Sequence, residues 1–227
     1  MGRGLNILMS GPSGTGKTMA AEVLGSELNM GVYKVDLSSV VSKYIGETEK
    51  NLKNIFDAAE ISSSIIFFDE ADALFGKRTE VKDSHDRHAN IETNYLLQKM
   101  EEYEGIVILA TNFSQNIDEA FARRMHFRLS FPFPDADLRF RIWKNIFPEA
   151  LPLSGDLNFK DLSELFQIAG GNIRNVALGA AFHAAASGQK LSMEHIICSM
   201  GREYQKLDRL CRQEEFDKYY HFLEKAN

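Results

Sequence analysis

The stretch that most limits what this chain can fold into is Gly11-Pro12-Ser13-Gly14-Thr15-Gly16-Lys17-Thr18, which follows the apolar run Leu5-Asn6-Ile7-Leu8-Met9. It matches the P-loop pattern G-x-x-x-x-G-K-[ST] in full. Glycines let a backbone wrap closely around an anion, so that successive N–H groups and the positive end of the following helix face phosphate oxygens. In such a loop Lys17 neutralises the β/γ-phosphates and the Thr18 hydroxyl joins a Mg²⁺ shell. The local prediction is therefore a strand over Leu5–Met9, a phosphate-wrapping loop, and a helix over Met19–Asn29.

Composition removes several alternatives. The 227 residues are enough for one large domain or a large and a small one, and 44% hydrophobic with 26% charged residues is ordinary for a globular chain. No uninterrupted apolar run approaches a membrane span, and charge and glycine stand at the start where a signal peptide needs apolar residues. The two cysteines, Cys198 and Cys211, do not make a disulfide scaffold, so a cytoplasmic location is expected. A net charge of −6 argues against a dedicated duplex-DNA binder, although a local basic channel is compatible with it.

Farther along, Val32–Leu37 alternates like a short strand. Ser42-Lys43-Tyr44-Ile45-Gly46-Glu47 sets an aromatic, an aliphatic and a glycine among polar residues, as either a contacting loop or a plain surface turn. Glu49–Ser62 has the spacing of an amphipathic helix with Leu52, Ile55, Phe56 and Ala59 on one face. The second strong signal is Ser64-Ile65-Ile66-Phe67-Phe68-Asp69-Glu70. Four large apolar residues in succession make a strand buried on both faces, the expected centre of a parallel sheet covered by helices. Its carboxylates fall at the C-terminal end, where such sheets bind ligands. Asp69 there can hold Mg²⁺ and Glu70 can polarise an attacking water.

Gly76–Ala89 is densely charged. His85 and His88 with Asp83 and Asp86 lack a metal-site ligand set, and a polar loop leading into a helix over Asn90–Glu102 is the better reading, with the acidic end at Glu101, Glu102 and Glu104 facing solvent. Gly105–Asn112 is another apolar strand. Its terminal Asn112 reads either as a group that aligns water beside Asp69 and Glu70 or as a turn asparagine. After the short segment Asn116–Ala122 come Arg123-Arg124-Met125-His126-Phe127-Arg128, basic residues that either solvate a surface or reach a neighbouring subunit's nucleotide. Pro132 and Pro134 stiffen a connection, and beyond them every strand signal is lost. The division expected is an α/β domain over 1–134 and an all-helical domain over 135–227, with helices over Asp135–Phe147, Lys160–Ile168, Asn172–Ser187 and Ser192–Leu210. Asn172 is a candidate N-cap. Arg174 stands in the first turn, where a cation works against the helix dipole. Phe216, Tyr219, Tyr220 and Phe222 pack a final short helix or meet another subunit.

Taken together, the P-loop, Asp69-Glu70, Asn112, the paired arginines and the helical tail resemble the AAA+ ATPases, AAA branch, over nearly the whole chain. The wording of Gln98–Gly105 and Asn116–Arg124 looks most like the ATPases of bacterial contractile, phage-tail-like injection particles. The resemblance implies a P-loop NTPase parallel-sheet sandwich followed by a helical lid, with ATP and Mg²⁺ as cofactors. It makes Gly11–Thr18 the Walker A motif, Ile65–Glu70 Walker B, Asn112 sensor 1, Arg124 an arginine finger acting in trans, and Lys43-Tyr44-Ile45-Gly46 a pore loop that grips polypeptide. The partners implied are further copies of the chain in a ring, usually of six, and a protein substrate.

Three features depart from the branch. The region after Arg124 is shortened, leaving His126 and Arg128 as the residues available for a second finger. Arg174 stands where the branch commonly has a small residue and is similar to the sensor 2 arginine of other branches. The strand begins almost at Met1, so that base contacts come from later residues or the chain is a piece of a longer one. The rival functions are a P-loop metabolic kinase, a clamp-loader-like ATPase that works with nucleic acid, and a nucleotide-gated scaffold with little turnover.

Overall fold

The computed structural model describes residues 4–40, 46–73, 84–112 and 119–224, with backbone alone for 73, 84–90, 119–120 and 224. The chain divides into two compact units, Met1–Pro12 with Gly16–Pro132, and Ser13–Thr15 with Phe133–Asn227.

The first unit is built on five strands, β1 (Leu5–Ser10), β2 (Val32–Asp36), β3 (Ile65–Asp69), β4 (Ile106–Thr111) and β5 (Phe127–Ser130), in the spatial order β2-β3-β4-β1-β5. Every pairing is parallel. Strict alternation of side chains in a strand sends neighbours to opposite faces. Ile7, Met9, Ile65, Phe67, Ile108 and Ala110 therefore share one face with Ala21 of helix α1 (Lys17–Glu27). Leu8, Ile66, Phe68, Val107 and Leu109 share the other with Leu52 and Phe56 of α3 (Glu47–Ser62) and Leu96 and Met100 of α4 (Ser84–Glu102). A sheet covered on both sides needs continuous apolar strands, which is why β3 and β4 read as unbroken hydrophobic runs. Two more short helices, α2 (Leu37–Val40) and α5 (Glu119–Arg124), and a 3₁₀ turn over Ala71–Ala73 complete the described elements of this unit.

Three local expectations change. Helix α4 begins at Ser84, six residues before the expected start at Asn90, because its opening turns are polar in sequence and carry no apolar periodicity. Helix α2 begins at Leu37, the expected last residue of the strand Val32–Leu37. Strand β5 had no strand signal, since all four of its residues are exposed and it pairs with β1 alone. The Lys43-Tyr44-Ile45 portion of the predicted pore loop and the segment 113–118 lie outside the described residues, whereas Gly46 is an exposed glycine with φ 83° that leads into α3.

In the second unit the described helices are α6 (Ala136–Asn145), α7 (Phe159–Leu165), α8 (Gly170–Ala186), α9 (Met193–Lys206), α10 (Gln213–Phe216) and α11 (His221–Glu224), with a 3₁₀ turn over Asp217–Tyr219. Asp135 starts α6 as an N-cap, its carboxylate accepting from Leu138 N at 2.8 Å. Asn172 is not a cap. Helix α8 opens at Gly170, which puts Asn172 inside its first turn, where its amide donates to Glu203 Oε1 at 2.9 Å. Asn175 donates to the same oxygen at 3.0 Å and Lys206 to Oε2 at 3.3 Å. Burial pushes the Glu203 carboxyl upward, but these donors outweigh it and hold the group below its usual range. Phe216 and Tyr219 are buried in this unit's own core, Phe216 edge-on to Phe166 and to Tyr204 at ring separations of 5.0 and 5.3 Å.

Tyr204 gives this core a testable pH dependence. Its hydroxyl is buried without a hydrogen-bond partner among the described residues, and burial pushes its pKa up to about 12 against the opposing pull of Arg209, whose guanidinium lies 4.2 Å from the ring centre. The unfolded tyrosine ionises near 10, so the unfolded chain loses its proton first and stability falls as pH rises from about 10 towards 12. Two pH units correspond to about 2–3 kcal/mol. Denaturant titrations across that range are expected to show this loss in the native chain. Tyr204→Phe is expected to remove that component of the slope while changing stability at pH 7 by less than about 1 kcal/mol, because it deletes an unsatisfied hydroxyl.

Candidate functional site

Strand β1 ends between two neighbours that set the entry to the P-loop. Gly11 N donates to Thr111 O at 3.2 Å, and Phe131 N donates to Ser10 O at 2.7 Å. The close approach of Phe131 explains the glycine. A Cβ on Gly11 would stand 2.0 Å from the Phe131 carbonyl oxygen, and its φ of 150° is one that side chains rarely adopt. Gly14 and Gly16 also have positive φ, 75° and 104°, conformations that glycine adopts without strain. Within the second unit the Gly14 carbonyl accepts from Gly171 N at 2.8 Å. Gly16 is the N-cap of α1 without side-chain help, leaving the first N–H groups of that helix without the intrahelical acceptors later residues have.

Lys17 is buried at 7% exposure, and its ammonium donates to Gly11 O at 2.6 Å, Pro12 O at 3.0 Å and Asn112 Oδ1 at 2.9 Å. Burial lowers its pKa, and the negative charges of Asp69 and Asp72 raise it in opposition. All three direct partners are neutral, so no ion pair consumes the charge among the described residues. A buried cation beside a glycine-rich turn and orphan helix amides is chemistry that fits a phosphate-bearing ligand.

The carboxylates gather at the ends of the adjoining strands. Asp69, half-buried at the tip of β3, accepts the Glu70 N–H at 3.0 Å. Glu70 is exposed and holds φ 52°, a left-handed conformation that costs energy for a residue with a side chain. Asp72, which the sequence reading passed over, lies in a 3₁₀ turn and accepts from Thr111 Oγ1 at 3.1 Å and Asn112 N at 3.4 Å. Asp72 therefore joins the tip of β3 to the tip of β4, and Asn112 continues the chain of contacts to Lys17. The signal for it was present as Asp69-Glu70-Ala71-Asp72, a spacing that turns the last carboxylate back over the strand ends. Thr18 is half-buried in the first turn of α1. Thr18 and Asp69 are the residues that suit a Mg²⁺ held mainly by phosphate oxygens and water, which requires no dense protein cage. No cluster of three or more metal-ligating side chains occurs among the described residues.

Arg124 is elsewhere. It closes α5, at the N-terminal edge of the sheet, where its Nε pairs with Glu101 Oε1 and its carbonyl accepts from Asn6 Nδ2 at 3.4 Å. Glu101, like Glu102 and Glu104, is exposed as expected, and it is also engaged in this ion pair. Arg174 is exposed and, because α8 opens at Gly170, is the fifth residue of that helix and stands in its second turn, not the first. The structure brings together Lys17, Asn112 and Asp72, with Asp69 and Glu70 on the neighbouring strand, and places Arg124 at the opposite strand ends.

A parallel sheet with this strand order, a P-loop after β1 and acids after β3 define a P-loop nucleoside-triphosphatase fold. Residues 7–133 match the family described as "ATPase family associated with various cellular activities (AAA)", and the chain belongs to that family and carries its ATPase domain. Membership implies ATP and Mg²⁺ in general terms. Among its relatives are the katanin p60 ATPase-containing subunit A1 of Strongylocentrotus purpuratus, 34% identical over 78% of this chain and 36% of that protein, and spastin of Xenopus tropicalis, 34% identical over 73% and 28%. The ATPase family gene 2 protein of Schizosaccharomyces pombe is 37% identical over 78% of this chain and 23% of its own length. The chain thus spans about a third or less of these relatives. They correct the expected kinship with the ATPases of contractile injection particles. The motif wording that suggested it, the Gln98–Gly105 and Asn116–Arg124 stretches, is too short to separate branches of one superfamily. No helix among the described residues is long and apolar enough to cross a membrane.

Gly11→Ala tests the geometry of the loop. With a methyl forced against the Phe131 carbonyl, nucleotide affinity is expected to fall by at least about tenfold, near 1.4 kcal/mol, in a titration with a fluorescent ATP analogue. An unchanged dissociation constant would contradict the account of this glycine.

Proposed function

We propose that the chain hydrolyses ATP with Mg²⁺ in a ring of its own copies, six in the usual arrangement of the family, and uses the hydrolysis to remodel a protein substrate. The observation that carries the reading is the buried Lys17 ammonium, held among the described residues by neutral oxygens and joined through Asn112 to the acidic strand ends.

In this mechanism the P-loop amides of Gly14–Thr18 and Lys17 bind the phosphates. Lys17 exchanges its carbonyl contacts for phosphate oxygens, and Asn112, already in contact with it, is placed to align the attacking water. Glu70 orients that water and takes up its proton. Thr18 and Asp69 hold the Mg²⁺, which when bound offsets negative charge on the phosphate oxygens. Arg124 of a neighbouring copy stabilises charge that develops during phosphoryl transfer. Its position supports the role in trans. Asn6, which touches Arg124, lies five residue steps along the chain from Gly11, a span of about 16 Å, so the guanidinium does not serve its own P-loop. Arg174 on the helical unit would contact the terminal phosphate and couple turnover to movement of that unit. Tyr44, with Lys43, Ile45 and Gly46, would pass the motion to polypeptide, and nucleic acid is not the expected substrate.

Phosphate-release assays across a range of protein concentration, with sedimentation of the same samples, test the proposal. Specific turnover is expected to rise as assemblies form. Glu70→Gln should retain ATP binding and lose turnover by about 10²-fold or more, and Arg124→Ala should lose about 10³-fold. Tyr44→Ala should keep turnover and lose action on a protein client. Turnover that is independent of concentration and untouched in Arg124→Ala would sink the shared-site reading.

A further inference from the structure

Resting on the reading of Arg124 above, we infer that His126 is a positioning residue for Arg124 and not a second finger: its imidazole supplies the last rung of the β1–β5 ladder and fixes the turn that presents the guanidinium. Backbone pairing of the two strands begins at Ile7 with Phe127. One residue earlier, the Asn6 N–H has no strand carbonyl on that side and donates to His126 Nδ1 at 3.0 Å, while His126 N donates to Asn6 O at 2.9 Å. A backbone N–H can only donate, so Nδ1 carries the lone pair and a neutral ring carries its proton on Nε2.

The residues around Arg124 are pinned from three sides. Buried Asn6 donates from Nδ2 to the Arg124 carbonyl at 3.4 Å. Arg128, the other candidate for a second finger, donates to the carbonyl of Ala122 and so is committed to the end of α5. His126 ties the residue two places after Arg124 to β1. Asn6, Arg124 and His126, with Glu101 and Arg123, border a cavity of about 450 Å³, so close packing does not fill the space beside the turn and hydrogen bonds hold it there. A guanidinium that has to reach a phosphate on another copy loses efficiency steeply with small misplacement, which is what this latch prevents.

Two substitutions separate positioning from direct action. In His126→Asn the amide oxygen occupies the place of Nδ1 and nothing occupies that of Nε2. In His126→Gln the amide reaches the place of Nε2 and the Nδ1 acceptor is withdrawn. Steady-state ATP turnover of the assembled full chain is expected to stay within about threefold of native for His126→Asn. For His126→Gln, kcat is expected to fall about 10- to 100-fold at unchanged KM. The reverse pattern, with His126→Gln active and His126→Asn impaired, would show direct action through Nε2 and overturn the inference, as would native rates in both. A fall in His126→Gln accompanied by loss of the folded circular-dichroism signal would also overturn it, in favour of plain structural support. Arg124→Ala in the same assay keeps the two readings apart. If it retains native turnover, the finger itself is wrong and the latch has nothing to position; if it is impaired while both His126 variants are native, only the latch fails.

Discussion

Much of the first unit follows from the need to turn the chain sharply from β1 into α1 while keeping a cation at the turn. Lys17 cannot be buried there without acceptors, and it finds them in two carbonyls of its own loop and in the side chain of Asn112, 95 residues away. That long-range bond requires β4 to lie beside β1, with their ends level from Leu5 with Ile106 to Ser10 with Thr111. It also requires the loop after β3 to come close enough for Asp72 to hold the backbone of Asn112. The apolar strands supply the alignment, because register in a doubly covered sheet is fixed by which residues are buried on which face. The polar groups at the strand ends inherit their places from it.

The sheet also gathers polar groups at its other edge. At the C-terminal ends of the strands stand the P-loop and the acids; at the N-terminal ends stand Arg124, Asn6, His126 and Glu101. A rigid parallel sheet keeps these sets apart within one chain, so a reaction that uses both needs two chains. Asn6 belongs to the same strand that feeds the P-loop, and it touches the turn bearing Arg124. One strand therefore connects the site a copy owns with the group it would lend.

The sequence made the first strand, the P-loop, the two buried central strands and the all-helical second unit readable, since each rests on local signals: glycine spacing, unbroken apolar runs, or a 3.6-residue period. Strand β5 was unreadable for the opposite reason. It is four exposed residues at an edge, formed because β1 offers it a ladder and not because its own pattern asks for one. Asp72 and His126 were obscured in the same way, as their roles depend on partners 39 and 120 residues distant. Asn172 illustrates the reverse error. A sound N-cap residue beside two glycines suggested a helix start, whereas the helix opens earlier and the amide is used to hold buried Glu203. Short motif wording misled in a further way, since the relatives lie with katanin and spastin and not with injection-particle ATPases.

The central claim is that one copy's Glu70 and another copy's Arg124 complete a single site. Mixing full-length Glu70→Gln and Arg124→Ala proteins, each inactive alone, tests it most directly. In mixed assemblies some interfaces join an intact Glu70 to an intact Arg124, and the account predicts that ATP turnover reappears on mixing and peaks near equal proportions. Turnover of the mixture that never exceeds the sum of the two separate proteins, although sedimentation shows that they co-assemble, would contradict it.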